Sequence, residues 1–572
     1  MSPSRWPLAV RAATSTAVPV VIGSAVGNVG AGLIATLGAF TARFGGDRPY
    51  LNRGIQLATV SVALASAVTM GSWSARVEWL GIAVVSVVAV AAVWLCNALA
   101  VGPPGAYVFA LACAAGVGVS ASGLAPWQLG LLVLGGGAVA WLIQMSGALR
   151  GRRRPERVAV SAAGTAVAEY VDAVGSAREV VARHRAATAL HAAWNILITF
   201  QPTTDDTLQG LRAATHALHV LFADAMSAVA VGDGPPTGTA DTARRIAELT
   251  VDPATVSARD TARVPLGRAS TGTLLRRALR PGSHVRHVMV RVAIAAPLAG
   301  ATAVLLGIGH AYWAIAAAVL ILHQGADRSR TLRRGADRLV GTWVGLILAA
   351  GILWLHPQGW WLAVILAVLQ LTIEMLVVRH YGLASVFITA AALTIATGSH
   401  RVDVVDLLLA RGSDTLIGCA VGVAVFLVVS RFQEADRLVD SVAAVVDAVG
   451  ATMPHLADDT GTLAARTARR DLQLAVIDLR DALDASTAGS DEPMRPAAVA
   501  AEQLAYRTVA ACWESDVHLA GPPVGRDDAL AFAGRLHDLA AALRTRATAP
   551  AVEGAPEFMA ADVGALTAAL RR

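Results

Sequence analysis

An arginine and an aspartate three residues apart occur twice in this chain, inside one repeated phrase. Arg334-Gly335-Ala336-Asp337-Arg338-Leu339-Val340-Gly341-Thr342-Trp343-Val344-Gly345 returns as Arg411-Gly412-Ser413-Asp414-Thr415-Leu416-Ile417-Gly418-Cys419-Ala420-Val421-Gly422, with seven of twelve positions identical. Each copy opens a long apolar stretch with GxxxG spacing. An ionised side chain near the hydrocarbon of a bilayer costs on the order of 2.5–3.5 kcal/mol unless it is paired or faces water. Charges kept twice at that depth are candidates for lining a solute route. The guanidinium would attract an anion, and the carboxylate would hold the guanidinium in place. Arg334, Asp337, Arg338, Arg411 and Asp414 are the candidate pathway residues, joined by Arg53, whose Arg53-Gly54 begins a degenerate counterpart followed by Ile55-Gln56. In the competing reading the arginines snorkel to the interface and the aspartates cap their helices.

Glu374, one turn after Gln370 in another apolar stretch, is a candidate for carrying a coupling proton; the alternative is a simple pair with Arg379. The aligned region near Cys96 and Asn97 has no acid. Other chemistry finds little support. The sequence has no lysine, so a Walker A loop and Schiff-base chemistry are both excluded. HExxH, GxSxG and dinucleotide fingerprints are absent. His216-x-x-His219 with Asp224 nearby has metal-compatible spacing, but such a lone pair on a soluble helix is usually solvated, and no metal ligand is assigned. Cys96, Cys113, Cys419 and Cys512 lack CxxC spacing and read as small apolar fillers. No catalytic residue and no cofactor is expected, and the chain does not read as an enzyme.

The elements that would position these charges follow from composition. Of 572 residues, 55% are hydrophobic and 15% charged, with mean hydropathy +0.56. A soluble chain would be nearer a quarter charged. The apolar excess sits in two blocks, 1–150 and 288–430, and the stretches 151–287 and 431–572 are rich in Arg, Asp and Glu. Runs of roughly 20 apolar residues cross a bilayer. Six spans per block are expected, near 9–26, 29–44, 54–72, 79–96, 105–122 and 127–149, then near 288–308, 311–324, 337–355, 360–378, 382–398 and 412–430. The second and eighth are short. The polar stretches show helical spacing and no strand alternation.

The fold class is therefore an all-α polytopic membrane protein, with two six-helix transmembrane blocks each followed by a helical cytosolic domain. The net charge of +6 does not point to nucleic acid, because the arginines cluster beside membrane segments at Arg150–Arg157 and Arg328–Arg338. A cytosolic N-terminus puts these clusters, Gly45–Arg53 and Arg431–Arg437 inside; the connection His400–Asp414 then lies outside with Arg401 and Arg411. The first apolar run reads as a retained helix, since LAVRAA at Leu8–Ala13 has a counterpart in MVRVAI at Met289–Ile294. Gly46-Asp47-Arg48 against Ala326-Asp327-Arg328, and Val108-Phe109 against Val386-Phe387, make the two blocks a repeat.

Tyr312-Trp313-Ala314-Ile315, the Arg-rich loop to Arg334, Arg338-Leu339-Val340-Gly341-Thr342 and Asp414-Thr415-Leu416-Ile417-Gly418 resemble the fusaric acid resistance, or aromatic acid exporter, family (FUSC-type). The resemblance covers about 290–430 well and 8–150 weakly. It extends more distantly to plant aluminium-activated malate channels, whose six-helix units pair as dimers. It implies export of aromatic acids and an intramolecular pseudo-dimer, with further oligomerisation left open. The resulting expectation is a multi-pass plasma-membrane transporter of small organic anions, with both termini and the soluble domains cytosolic, driven by the proton gradient or by passive flow. The alternatives are a structural or sensory membrane protein, or a membrane enzyme acting on envelope lipid.

Overall fold

The computed structural model describes residues 6–201, 205–231, 233–248, 269–280, 283–323, 328–355, 357–399, 404–430, 434–486, 492–517 and 524–571. Regular structure among them is helical, with no strand. The connection residues His400–Asp403, Ala326–Asp327 and Arg431–Phe432, used above for topology and repeat matching, lie outside the described residues.

In chain order the helices begin with α1 (Trp6–Ala25), α2 (Val29–Ala35, continued by a 3-10 segment Thr36–Arg43), α3 (Tyr50–Ser74), α4 (Glu78–Ala98), α5 (Tyr107–Val119) and α6 (Pro126–Met145). Next come α7 (Arg154–Ala173), α8 (Glu179–Trp194), α9 (Asp206–Val231), α10 (Thr239–Ala247) and α11 (Thr271–Ala278). The second apolar region holds α12 (His284–Leu305), α13 (Tyr312–Leu322), α14 (Arg328–Trp354), α15 (Trp360–Leu376), α16 (Tyr381–Ser399) and α17 (Val404–Ser430). The chain closes with α18 (Glu434–Ala457), α19 (Leu463–Ala485), α20 (Arg495–Val517), α21 (Arg526–Thr545) and α22 (Ala560–Leu570).

These helices gather into two compact units, each built from two stretches of chain: Met1–Arg152 with Ser270–Phe432, and Arg153–Ala269 with Gln433–Arg572. In the first unit, seven helices are long and apolar enough to cross a membrane: α1, α3, α4, α6, α12, α14 and α17. Five apolar helical segments are shorter, at Val29–Arg43, Tyr107–Ser122, Tyr312–Leu322, Trp360–Leu376 and Tyr381–Thr397. Three of these, around α5, α15 and α16, read as full spans in the sequence. Helix α16 contains its expected span 382–398 and α15 fills 360–376 of 360–378, whereas the α-helix of α5 ends at Val119 and continues as a 3-10 turn to Ser122.

Packing inside this unit is reciprocal. Helix α1 packs on α15 and α12 packs on α4; likewise α2 meets α16 and α13 meets α5. Small residues set the close approaches, as expected where lipid supplies no hydrophobic drive between helices. A Cβ on Gly341 would lie 2.6 Å from the Gly382 carbonyl oxygen, and one on Gly345 would lie 2.6 Å from that of Val386, so α14 and α16 run side by side in parallel. Gly418 and Gly422 seat α17 on Ala314, Ala317 and Ala318 of α13. Gly23 packs on Gly32. Its GxxxG partner Gly27 does not. It has φ +74° and open space around it, and it turns the chain between α1 and α2. Spacing alone cannot separate a packing glycine from a turn glycine.

Contrasting substitutions test this assignment. Gly345→Val should abolish recovery of monodisperse protein in detergent, because backbone occupies the space. Gly27→Ala should cost about 1–2 kcal/mol for its left-handed backbone. Gly351→Ala, in a helix with nothing within 4 Å, should be neutral or slightly stabilising. Detergent-phase melting curves rank the three.

In the second unit, helices from both polar stretches share one hydrophobic core. Val160, Val167, Leu190, Leu208, Leu218 and Phe222 are buried together with Leu438, Val446, Leu472, Leu504, Trp513 and Phe532. A fragment 151–287 would lose most of that core, since the larger share of its buried residues comes from the second stretch.

Candidate functional site

The two copies of the repeated phrase lie on neighbouring antiparallel helices. A Cβ on Gly335 at the start of α14 would lie 3.3 Å from Val423 late in α17, and one on Gly412 early in α17 would lie 3.1 Å from Trp343. This geometry aims charges from opposite directions into one buried region. Arg338 on α14 is 2% exposed and Arg411 on α17 is 3% exposed, and each lies within the electrostatic reach of the other and of Tyr107. Tyr107 comes from α5, so the first block contributes to the site.

Each guanidinium is held differently. That of Arg411 lies 3.7 Å over the Trp313 ring centroid. Desolvated cation–π stacking of this kind is worth about 2 kcal/mol. Arg338 donates from Nη1 to Ser385 Oγ at 3.3 Å and neighbours Tyr381 and Cys419. Arg334, half-buried, lies 5.3 Å over the Tyr381 ring. His323, at the end of α13, is buried with its Nδ1 2.9 Å from the Leu320 carbonyl oxygen. A carbonyl only accepts, so Nδ1 carries the proton and Nε2 is left as a buried acceptor without a partner. The Tyr107 ring stands 6.0 Å from it. Aromatic faces and two guanidinium groups therefore converge from α5, α13, α14, α16 and α17.

Asp414 departs from the sequence expectation. It is fully buried, neighbours Arg411 and Tyr312, and neither carboxylate oxygen accepts a hydrogen bond. The i+3 spacing therefore does not clamp Arg411, because its guanidinium is drawn onto Trp313 instead. Asp337 is half-buried, with Oδ1 3.1 Å from where a Cβ on Gly382 would stand.

Two sequence candidates belong to other groupings. The Arg53 guanidinium donates from Nε to the Gly45 carbonyl at 2.7 Å and from Nη2 to that of Gly46, and it lies 4.8 Å over the Tyr50 ring. It braces the loop before α3. Glu374 pairs with Arg43 Nε at 2.8 Å and accepts from Gln370 Nε2 at 2.9 Å. Its cation thus comes from the first block rather than from Arg379. Sequence reasoning missed Tyr107, Trp313, Tyr381, Ser385 and Arg43 as site residues. Aromatics and serines in apolar helices look like ordinary filling until a charge is placed against them.

In the second unit, His219 is buried in the core and His216 is half-buried beside it. The Trp194 indole donates to His219 Nδ1 at 2.9 Å, and the Trp513 ring lies tilted 4.5 Å from His219 and edge-on 5.6 Å from His216. Among the described residues, no group of three or more His, Cys, Asp or Glu is arranged to hold a metal. Burial holds His219 down at about 3, and burial followed by the Arg470 charge holds His191 at about 4, against an ordinary 6.5. Both are neutral in the fold and would bind protons on unfolding. Their contribution to stability is complete above about pH 6.5 and is lost as pH falls toward the folded values. The loss is about 1.4 kcal/mol per pH unit for each histidine. Acid should therefore melt this unit early, and His219→Gln should flatten the dependence in melting curves at pH 7.5, 6 and 5.

The described residues are helical, and seven of their helices are long and apolar enough to cross a membrane, as in a multi-pass membrane protein. Residues 298–425 match the fusaric acid resistance protein-like family, in line with the resemblance read from the sequence over about 290–430. The chain is also similar to an uncharacterized membrane protein, YvaC, of Bacillus subtilis (strain 168). The two are 26% identical over 550 residues, covering 89% of this chain and 86% of the relative. No solved structure matches.

Proposed function

We propose that this protein exports small organic anions, aromatic acids among them, across the plasma membrane, acting as a transporter rather than an enzyme. The observation that carries the reading is the pair of buried guanidinium groups, Arg338 and Arg411, each within electrostatic reach of the other and set among aromatic rings. Burying an ion costs several kcal/mol, and like charges raise that cost. An anion resting between the two arginines offsets both, and Trp313, Tyr107 and Tyr381 give an aromatic acid flat surfaces to lie against. The family match and the relative's description as a membrane protein support the reading.

The accompanying proposal is six crossings per block, with both termini and the second unit cytosolic. The reciprocal packing of α1 on α15 and α12 on α4 supports an intramolecular pseudo-dimer, as in a two-fold interface that uses the same surface twice. The halves are unequal. Helix α6 carries no charged residue where α17 carries Arg411 and Asp414, so one anion site per chain is proposed.

The test is efflux of radiolabelled aromatic acids from cells, comparing a deletion strain carrying the wild-type chain with one carrying Arg338→Gln/Arg411→Gln. Accumulation of the acids in the double variant at normal membrane expression is expected. Equal efflux from both strains would show that these arginines only anchor the helices.

A further inference from the structure

Asp414 is the one acid at the anion site with no exposure and no hydrogen bond to either oxygen. A carboxylate of that kind is normally bonded or paired. Glu374, by contrast, already has Arg43 and Gln370. We infer that Asp414 is a proton-binding site coupled to the anion site, so that one proton accompanies each anion. This rests on the anion-site reading above.

The argument is one of charge. With Asp414 ionised, Arg338, Arg411 and Asp414 together carry a net charge of plus one. Adding a monovalent anion and a proton leaves that net charge unchanged. The proton converts the Asp414 carboxylate to a carboxylic acid, and no other bond changes. Adding the anion alone sets it beside an ionised acid in a region poor in water. Like charges repel most strongly there, so anion binding favours protonation and protonation favours the anion.

The surroundings leave few rivals for the proton. Asp414 and Arg411 share α17. Of the helices packed on it, α13 supplies Tyr312 and, at its far end, His323; α14 supplies Arg334, Asp337 and Arg338; α12 supplies Arg291, whose guanidinium lies over Phe426 near the other end of α17. Tyr107 approaches from α5. The arginines stay charged. The tyrosines begin neutral and cannot accept a proton. Asp337 is half-buried, on a different helix.

The full chain in proteoliposomes decides the matter, with benzenesulfonate as the probe. A sulfonate stays ionised and does not leak as a neutral acid, so a co-moving proton must ride on the protein. Wild-type flux should carry protons one for one, read by a trapped pH dye, and should ignore an imposed membrane potential. Asp414→Asn should lose at least about tenfold of the proton movement per anion, and its flux should follow the potential. Asp414→Glu should restore coupling and guards against a folding artefact. Potential-driven, proton-free flux in the wild type would overturn the inference, as would proton co-movement persisting in Asp414→Asn. If the wild type moves no benzenesulfonate, the anion-site reading fails for this probe, and infrared difference spectra across a pH titration decide Asp414 alone. A titrating carboxyl band lost in Asp414→Asn upholds it. A band that remains, or none at all, rejects it.

Discussion

Arg411→Gln is expected to stop anion flux and to destabilise the membrane unit by a few kcal/mol, on the order of what leaving a buried carboxylate without a nearby cation costs. The reason is Asp414. It is fully buried, accepts no hydrogen bond, and has Arg411 as its cationic neighbour on the same helix. Without that cation its charge is left uncompensated, and the Trp313 face loses the guanidinium stacked 3.7 Å from it. The double variant Arg411→Gln/Asp414→Asn should recover most of the lost stability and none of the flux. Melting curves in detergent and flux in proteoliposomes separate the two effects. Equal melting temperatures for the single and double variants would mean that the pair is not coupled. Arg334→Gln should be milder, because Arg334 is half-buried and stands 5.3 Å from the Tyr381 ring. Arg53→Gln should leave flux largely intact and loosen the loop at Gly45–Gly46, where its hydrogen bonds go.

Trp513→Ala is the second large effect, expected to cost the second unit about 3–5 kcal/mol. Trp513 is fully buried and sits between His219 and the Arg469 guanidinium, 4.8 Å from its ring. Arg469 is also tied to the Cys512 carbonyl at 3.1 Å. Removing the indole opens a cavity beside an imidazole kept neutral by burial, so water would reach His219 and let it protonate. Loss of stability should therefore be accompanied by a weaker acid dependence. Hydrogen exchange on the full-length protein should show protection falling in both α9 and α20, since the core joins them. Loss confined to α20 would show that the two stretches fold separately.

The sequence by itself determined the class. Apolar stretches interrupted by Arg-rich loops permit little other than a helical membrane protein, because a bilayer leaves backbone groups to be satisfied within each helix. The duplicated phrase marked Arg338, Arg411 and Asp414, because charges are rare enough in such helices to stand out. Tertiary structure decided which of them meet. A helix presents a residue to partners hundreds of positions away, so nothing near Glu374 in sequence announces Arg43, and nothing near Arg338 announces Tyr107. Local spacing suggested that Asp414 clamps Arg411 and that His216 and His219 form a pair. Packing overrode both: the Arg411 guanidinium lies on the Trp313 face, and the His219 imidazole takes the Trp194 hydrogen bond and the Trp513 ring. Spacing fixes which side chains share a helix face, and only the fold fixes what that face is pressed against.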